Sequence, residues 1–323
     1  MWGRWSRAIT ARRRTGGLLT EADGMDIRVL TEEDLGELLA LCVRALPLDR
    51  WSLRLLHDRI FDEPEHRPEY QLAAWEDGDL VGVMLSGERE TPEGTAAAVR
   101  LFATAPERRR QGVAEQLLAE TEARLRAAGR PRLTVGGHAP IFFWPGLDVR
   151  YTEAYCFLEK HGFARVSDAV NMTVNLPAHN WDTAAQEELL AREGFVVRRL
   201  EEGDRERFEE WMLATWGTTW QAEATAAYQY DPVSAFIALQ DGEILSFAAY
   251  GGTAFENGFG PTGTDESLRG LGIGRVLFHR CMHDLVRLGH SECEVIWVGP
   301  IAFYARVADA RISRVFWVLE KAL

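Results

Sequence analysis

Arg269-Gly270-Leu271-Gly272-Ile273-Gly274 follows a strand-like run and opens an amphipathic helix, and Arg109-Arg110-Gln111-Gly112-Val113-Ala114 does the same in the first half of the chain. Apolar residues follow both at helical spacing: Val113, Leu117, Leu118 and Leu125, then Val276, Leu277, Cys281, Met282 and Leu285. Gly129 and Gly289 stand equally far beyond their loops and read as helix stops, because a left-handed C′ position favours glycine. A strand, a glycine turn and a helix N-terminus together aim several free backbone N–H groups at one point. The aligned peptide dipoles make that point favourable for phosphate. The chain builds this anion cradle twice.

Neither loop ends in Gly-Lys-Ser/Thr, which argues against a Walker-type loop. The second reads Gly-x-Gly-x-Gly rather than Gly-x-Gly-x-x-Gly and lacks the βαβ context of a dinucleotide fold. Both resemble the Arg/Gln-x-x-Gly-x-Gly/Ala motif of the GNAT acetyltransferase superfamily. Arg269, Gly272 and Gly274 fill that pattern in the second copy, and Arg109, Gly112 and Ala114 in the first. The resemblance implies acetyl-coenzyme A as cosubstrate. Its pyrophosphate would lie on the amides of Arg269, Gly270, Leu271, Gly272, Ile273 and Gly274, and in the first copy on those of Arg109, Arg110, Gln111, Gly112, Val113 and Ala114. The strand before each loop would meet the pantetheine arm, at Thr262, Gly263 and Thr264 and at Phe102, Ala103 and Thr104.

The repetition extends beyond the loops. Ile27-Arg28-Val29-Leu30-Thr31-Glu32-Glu33-Asp34 is echoed by Val197-Arg198-Arg199-Leu200-Glu201-Glu202-Gly203-Asp204, each a short strand running into an acidic helix start. Asp77-Gly78 and Asp241-Gly242 sit between apolar runs and predict type I′ hairpins. Strands then follow each glycine-loop helix at Leu133–Val135 and Val295–Val298. Next come short helices around Phe157–Phe163 and Phe303–Asp309, and closing strands at Val170–Val174 and Val315–Leu319. The expected fold class is α/β (α+β): two tandem GNAT-type domains, each a mixed, mostly antiparallel sheet flanked by helices. The expected boundaries are 25–177 and 195–323, with a linker over 178–194 that carries a short helix from about Thr183 to Arg192. The two domains are expected to pack as a pseudo-dimer within one chain, which can itself be monomeric.

A chain of 323 residues gives each domain enough length for its own core. Hydrophobic content of 46% with 26% charged residues describes a soluble globular protein, and no apolar run reaches the length of a membrane span. The net charge of −13 disfavours nucleic acid as a partner. Cys42, Cys156, Cys281 and Cys293 lack metal-ligand spacing and read as reduced thiols of a cytoplasmic protein. Lysine occurs only at Lys160 and Lys321, which argues against a lysine nucleophile. Residues 1–24 carry Arg4, Arg7, Arg12, Arg13 and Arg14 without the apolar core of a secretory signal, and read as a disordered leader or an over-long start.

Direct attack of an amine on a bound thioester requires a positioned acceptor, removal of the amine's proton and an acid for the departing thiolate. The resemblance places Tyr304, in Phe303-Tyr304, as that acid. The first copy has Leu158 there, so its catalysis is in doubt unless Tyr151 or Tyr155 bends inward. Glu256, read as lying on the strand ahead of the second loop, is the candidate base; a solvated carboxylate, or relay of the proton through water, is the competing reading. His138 is a weaker candidate, and His279 with His283 read as an exposed helix face with no third metal ligand. Trp211, Trp216, Trp220, Tyr228 and Tyr230, and the inserted Phe142-Phe143-Trp144-Pro145-Gly146-Leu147-Asp148, either line a pocket or bury an interface. The leading expectation is an N-acetyltransferase of a small-molecule or peptide amine, with the second domain active and no metal. A coenzyme-binding regulator or structural pseudoenzyme is the alternative.

Overall fold

The computed structural model describes residues 24–62, 66–91, 94–137, 142–252 and 255–323. The basic leader through residue 23 and His138 lie outside the described residues. The first half runs β1 (Met25–Val29), α1 (Leu35–Ala45), α2 (Leu53–Ile60), β2 (Gln71–Glu76), β3 (Asp79–Thr91), β4 (Gly94–Thr104), α3 (Val113–Ala127), β5 (Arg132–Val135), β6 (Leu147–Asp148), α4 (Thr152–Lys160) and β7 (Ala164–Asn175). The second begins with α5 (Ala184–Arg192) and continues β8 (Phe195–Arg199), α6 (Arg205–Thr225), β9 (Ala235–Gln240), β10 (Glu243–Tyr250) and β11 (Gly258–Thr264). It closes with α7 (Ile273–Arg287), β12 (Glu292–Val295), α8 (Ile301–Ala308) and β13 (Arg311–Ala322). Among the described residues, no helix is long and apolar enough to cross a membrane.

Local chemistry explains why the two halves start alike. Arg28 and Arg198 each grip a carboxylate six residues on, Asp34 at 3.0 and 3.2 Å and Asp204 at 2.6 and 2.8 Å. The same carboxylates accept the backbone N–H groups of Thr31 and Glu201, so each closes the turn that launches α1 or α6. Arg198 holds the Asp204 carboxyl well below the usual carboxylate range. The hairpins turn at Asp77-Gly78 and Asp241-Gly242 with positive φ at all four residues, as a type I′ turn demands.

The strands form one continuous sheet, in the order β1-β2-β3-β4-β5-β13-β7-β12-β11-β10-β9-β8, with β6 added against β13. The closing strands are exchanged. β13, from the end of the chain, pairs with β5 of the first half, while β7 of the first half pairs with β12 of the second. The two lie antiparallel to each other from Arg311↔Thr173 to Glu320↔Ala164. Each half therefore contributes five successive strands, then receives the other's last strand, then places its own. The cores follow the strands rather than the sequence. Leu319 packs with Leu117, Leu125 and Leu133, and Met172 and Val174 pack with Leu277, Cys281 and Val295. The sequence reading kept each closing strand in its own half; hydrophobic periodicity assigns a strand's faces but not its neighbours, so the exchange was invisible to it.

One buried ion cluster pins this arrangement. Arg314 on β13 donates to Asp49 at 2.6 Å and to Asp148 at 2.8 Å, with its guanidinium 4.3 Å above the Trp144 ring. Arg314→Met would strand two buried carboxylates, and breaking a buried pair from one side costs about 3–5 kcal/mol. Urea denaturation of this variant should show a loss near the lower end of that range, because Arg150 and Tyr151 still donate to the same carboxylates. The loss should fall in a single transition reporting both halves. A loss below about 1 kcal/mol would mean that the cluster does not hold the exchanged strands.

Candidate functional site

Each half opens a notch between the strand before its glycine loop and the strand after the following helix. β4 and β5 pair in parallel from Ala97↔Leu133 to Val99↔Val135, and β11 and β12 from Gly258↔Glu294 to Phe259↔Val295. Beyond those pairs the strands separate. Register shifts against the opposite neighbour cause the splay: β4 bulges at Arg100, and β11 bulges between Phe259 and Thr262.

The glycine loops stand at the mouths of these notches. Gly112 and Gly272 are the N-cap residues of α3 and α7, at φ 85° and 87°, a region that any Cβ strains. The first backbone hydrogen bonds to the caps come from Gln116 and Val276, so the intervening first-turn N–H groups have no helical acceptor. The loops differ two residues before the cap: Gly270 sits at φ 96°, whereas Arg110 is forced to φ 64°. Arg109 is also engaged, with Glu153 at 3.0 Å and the Ala45 carbonyl at 3.1 Å.

The second notch encloses a cavity of about 430 Å³. Phe259–Thr262 of β11 and Val295–Pro300 after β12 form its walls, and Thr219, Trp220 and Glu223 of α6 cover it. Phe142, Asp168 and Ala169 reach in from the first half of the chain. Tyr304 lines it too, with its ring packed 5.5 Å from Phe278 and 6.0 Å from Phe259. Burial pushes its hydroxyl above the usual phenol range, so it stays protonated through neutral pH.

The first notch is filled. The inserted segment lays β6 against β13 through Leu147↔Trp317 and Asp148↔Phe316, and Trp144 stacks on Phe316 at 6.3 Å and 9°. A Cβ on Gly146 would lie 2.6 Å from the Trp317 carbonyl oxygen, and one on Gly136 only 2.3 Å from the Gly146 Cα. About 50 Å³ remains. Leu158, the counterpart of Tyr304, is buried in the core. The insertion does bring Tyr151 to the notch, but its hydroxyl donates to Asp49 at 2.8 Å. Tyr155 instead donates to Glu159 on the surface.

Several sequence expectations need correction. Glu256 is not on a strand: it is exposed on the turn that precedes β11 and does not line the cavity. His279 is buried edge-on to Trp181 at 5.1 Å, so only His283 belongs to an exposed face. The aromatic run of α6 serves both readings. Trp211, Trp216 and Tyr228 pack on the core, while Trp220 also reaches the cavity. Among the described residues, His57, Asp58 and Asp62 form the group whose ligand atoms lie within 4.8 Å of one another, on the rim of α2 away from the notch.

Sequence reasoning missed Glu223. Burial lifts its carboxyl to about 7, against the opposing charge of Arg59, which reaches over from α2 and donates to the Gly252 carbonyl at 3.3 Å. Its signal was present but faint, since Trp216, Trp220 and Glu223 fall on one helical face of an aromatic stretch. α6 breaks at Gly217 (φ 81°), which turns the segment carrying Trp220 and Glu223 over the notch.

The sequence model of the Acetyltransferase (GNAT) family matches residues 34–140. No curated protein matches the chain. Among solved structures, a GCN5-related glucosamine N-acetyltransferase region of a fungal multi-domain β-N-acetylglucosaminidase superposes with a TM-score of 0.74 at 16% identity. That alignment covers 92% of this chain but only 38% of the fungal protein. A GCN5-related N-acetyltransferase from Sphaerobacter thermophilus gives 0.66 at 17% identity, over 94% of this chain and 97% of the other. A tandem GNAT protein from the clavulanic acid biosynthesis pathway gives 0.65 at 15% identity, over 92% and 98%. Residues 34–140 thus carry the GNAT family's sequence pattern, and the fold of the whole chain is that of tandem GNAT proteins.

Arg59→Ala should move the Glu223 titration above 7, because the neighbouring positive charge favours the carboxylate. Infrared difference spectra against Glu223→Gln would read the shift. A downward move, or none, would mean that Arg59 does not set this carboxyl's charge.

Proposed function

We propose that the chain is an acetyl-coenzyme A-dependent N-acetyltransferase that transfers the acyl group to a primary amine in a ternary complex, with the reaction in the second half. The observation that carries this reading is the contrast between the notches: one is open and holds Tyr304 and Glu223, and the other is packed shut and holds Leu158. The unpaired N–H groups at Gly272–Gly274, next to a left-handed glycine, suit a pyrophosphate. Coenzyme A supplies the activated acyl group as a thioester.

The chain's own residues then need only position and move protons. Glu223, poised near neutrality, takes the proton that the acceptor ammonium must lose before its nitrogen can attack the carbonyl carbon. As the new C–N bond forms and the C–S bond breaks, the electron pair leaves on sulfur. Tyr304 gives its proton to that thiolate, and the second proton shed by the acylated nitrogen restores the tyrosine hydroxyl through solvent. The products are an amide and the free thiol, with no covalent enzyme intermediate. Glu256 plays no part in this scheme. The first half contributes strand β7 and the wall residues Phe142 and Asp168, and any coenzyme bound at its own loop meets no open acceptor site.

Tyr304→Phe keeps the ring's packing and removes the donor. It should slow acyl transfer by about 10²–10⁴-fold, the usual span for general acid–base assistance, with acetyl-coenzyme A affinity and melting temperature nearly unchanged. Full turnover in stopped assays of thiol release would remove Tyr304 from the mechanism.

Gly272→Asp places a carboxylate at a helix N-terminus meant for phosphate and strains a left-handed backbone. An electrostatic penalty approaching 2 kcal/mol corresponds to roughly 10–30-fold weaker acetyl-coenzyme A binding. Calorimetry should show this loss for Gly272→Asp and a much smaller one for Gly112→Asp. The reverse order would move the working site to the first half.

A third expectation concerns pH. The rate at saturating substrates should rise as pH passes through about 7, because Glu223 must lose its proton to act as base. Glu223→Gln should flatten that limb as well as lower the rate. A profile that keeps the same limb in the variant would exclude Glu223 as its source.

A further inference from the structure

Resting on the transferase reading above, we infer that the acceptor is a small primary amine with an aromatic, uncharged body: an arylalkylamine rather than a polyamine, an amino sugar or an amino acid. The covering wall of the cavity is Trp220, stacked on Trp216 at 4.9 Å and 13°. Across it stand Phe142 and Trp297, edge to face at 5.2 Å and 89°. These are flat apolar surfaces that bury a ring at little entropic cost.

Trp297 is held there against its backbone preference. It occupies the left-handed region at φ 49°, which disfavours a bulky side chain, and it remains 39% exposed. Its backbone N–H donates to Asn171 Oδ1 at 2.9 Å, and Asn171 is fully buried and donates to Glu294 at 2.6 Å. Strain of this kind persists where surrounding structure enforces it, and it clusters at ligand clamps. A solvent-exposed indole enforced at a cavity lip by a buried amide marks a contact surface for a ligand.

The charges point to the same class. The ionisable acids lining the cavity are Glu223 and Asp168, and Asp168 is engaged outward by Arg165 at 2.9 Å. Among the described residues, no arginine or lysine lines it. A carboxylate or phosphate on the acceptor would lie against these two acids with no lining cation to offset them, since Arg59 beside Glu223 is already turned to that carboxyl and to the Gly252 carbonyl. A second ammonium would share one carboxylate with the first. A single ammonium at Glu223, with a ring between Trp220 and Trp297, satisfies every group.

The test measures thiol release at saturating acetyl-coenzyme A with phenethylamine, tryptamine, spermidine, glucosamine and lysine, and binding of phenethylamine by calorimetry. The two arylalkylamines should exceed the other three in kcat/KM by about tenfold or more, the scale of a ring's worth of apolar contact. Trp297→Gly removes the indole while relaxing the backbone, so it should fold normally. It should raise the KM for phenethylamine and weaken its binding by a similar factor, with acetyl-coenzyme A affinity unchanged. Spermidine, glucosamine or lysine matching the arylalkylamines, or unaltered phenethylamine binding in Trp297→Gly, would overturn the inference while leaving the transferase standing. Tight, Trp297-dependent phenethylamine binding without thiol release from any amine would support the pocket assignment and overturn the transferase reading instead.

Discussion

The exchange of β7 and β13 is the constraint on which the rest of the molecule depends. Each strand completes a sheet begun by the other half, so neither core closes without a strand from the other half of the chain. The pairing is antiparallel and runs almost the full length of both strands, with register shifts between Ile312 and Arg314 and between Val318 and Leu319, and it joins the halves edge to edge. Shifting that register by one residue would turn Phe316 and Leu319 out of the interior, where both are fully buried. A duplicated fold thereby becomes one sheet.

The same pair of strands makes the two halves unequal. β13 carries Arg314 into the first notch, where Asp49, Asp148 and Trp144 gather around it and the inserted segment closes the gap. β7 carries Asn171 into the second, where its amide holds the loop after β12 and presents Trp297 to the cavity. One strand fills a site and the other shapes one. The asymmetry needs no difference in overall topology, only different side chains at the two exchanged positions and a longer connection after β5.

Much of this was legible in the sequence, for physical reasons. The glycine loops, the Asp-Gly turns and the arginine-to-aspartate spacing at the start of each half are local devices: each needs particular residues within a few positions, and each appears twice. The short helix after residue 183 and the stops at Gly129 and Gly289 were readable on the same grounds, and both glycines take positive φ. The strand exchange was not legible, since Val170–Val174 and Val315–Leu319 show only that they are half-buried strands. Nor was the filling of the first notch, because Phe142–Asp148 is equally a pocket wall or a plug until its partner on β13 is known. In the site, Tyr304 could be found by its place in a motif. Glu223 could not, because its raised pKa comes from burial in the fold, held in check by Arg59, far away in the sequence. Glu256 drew attention through proximity to the loop, yet a turn places it in solvent.

The central claim is that acetyl-coenzyme A works in the notch of the second half, which the exchanged strand of the first half helps to build. Hydrogen exchange read by mass spectrometry, with and without acetyl-coenzyme A, tests it most directly, because backbone amides of both loops and both notches are followed at once. The account predicts slowed exchange at 260–264, 270–276 and 300–304, with little change at 100–104 and 142–151. Protection confined to 100–118 and 135–151, with the second half unaltered, would contradict it.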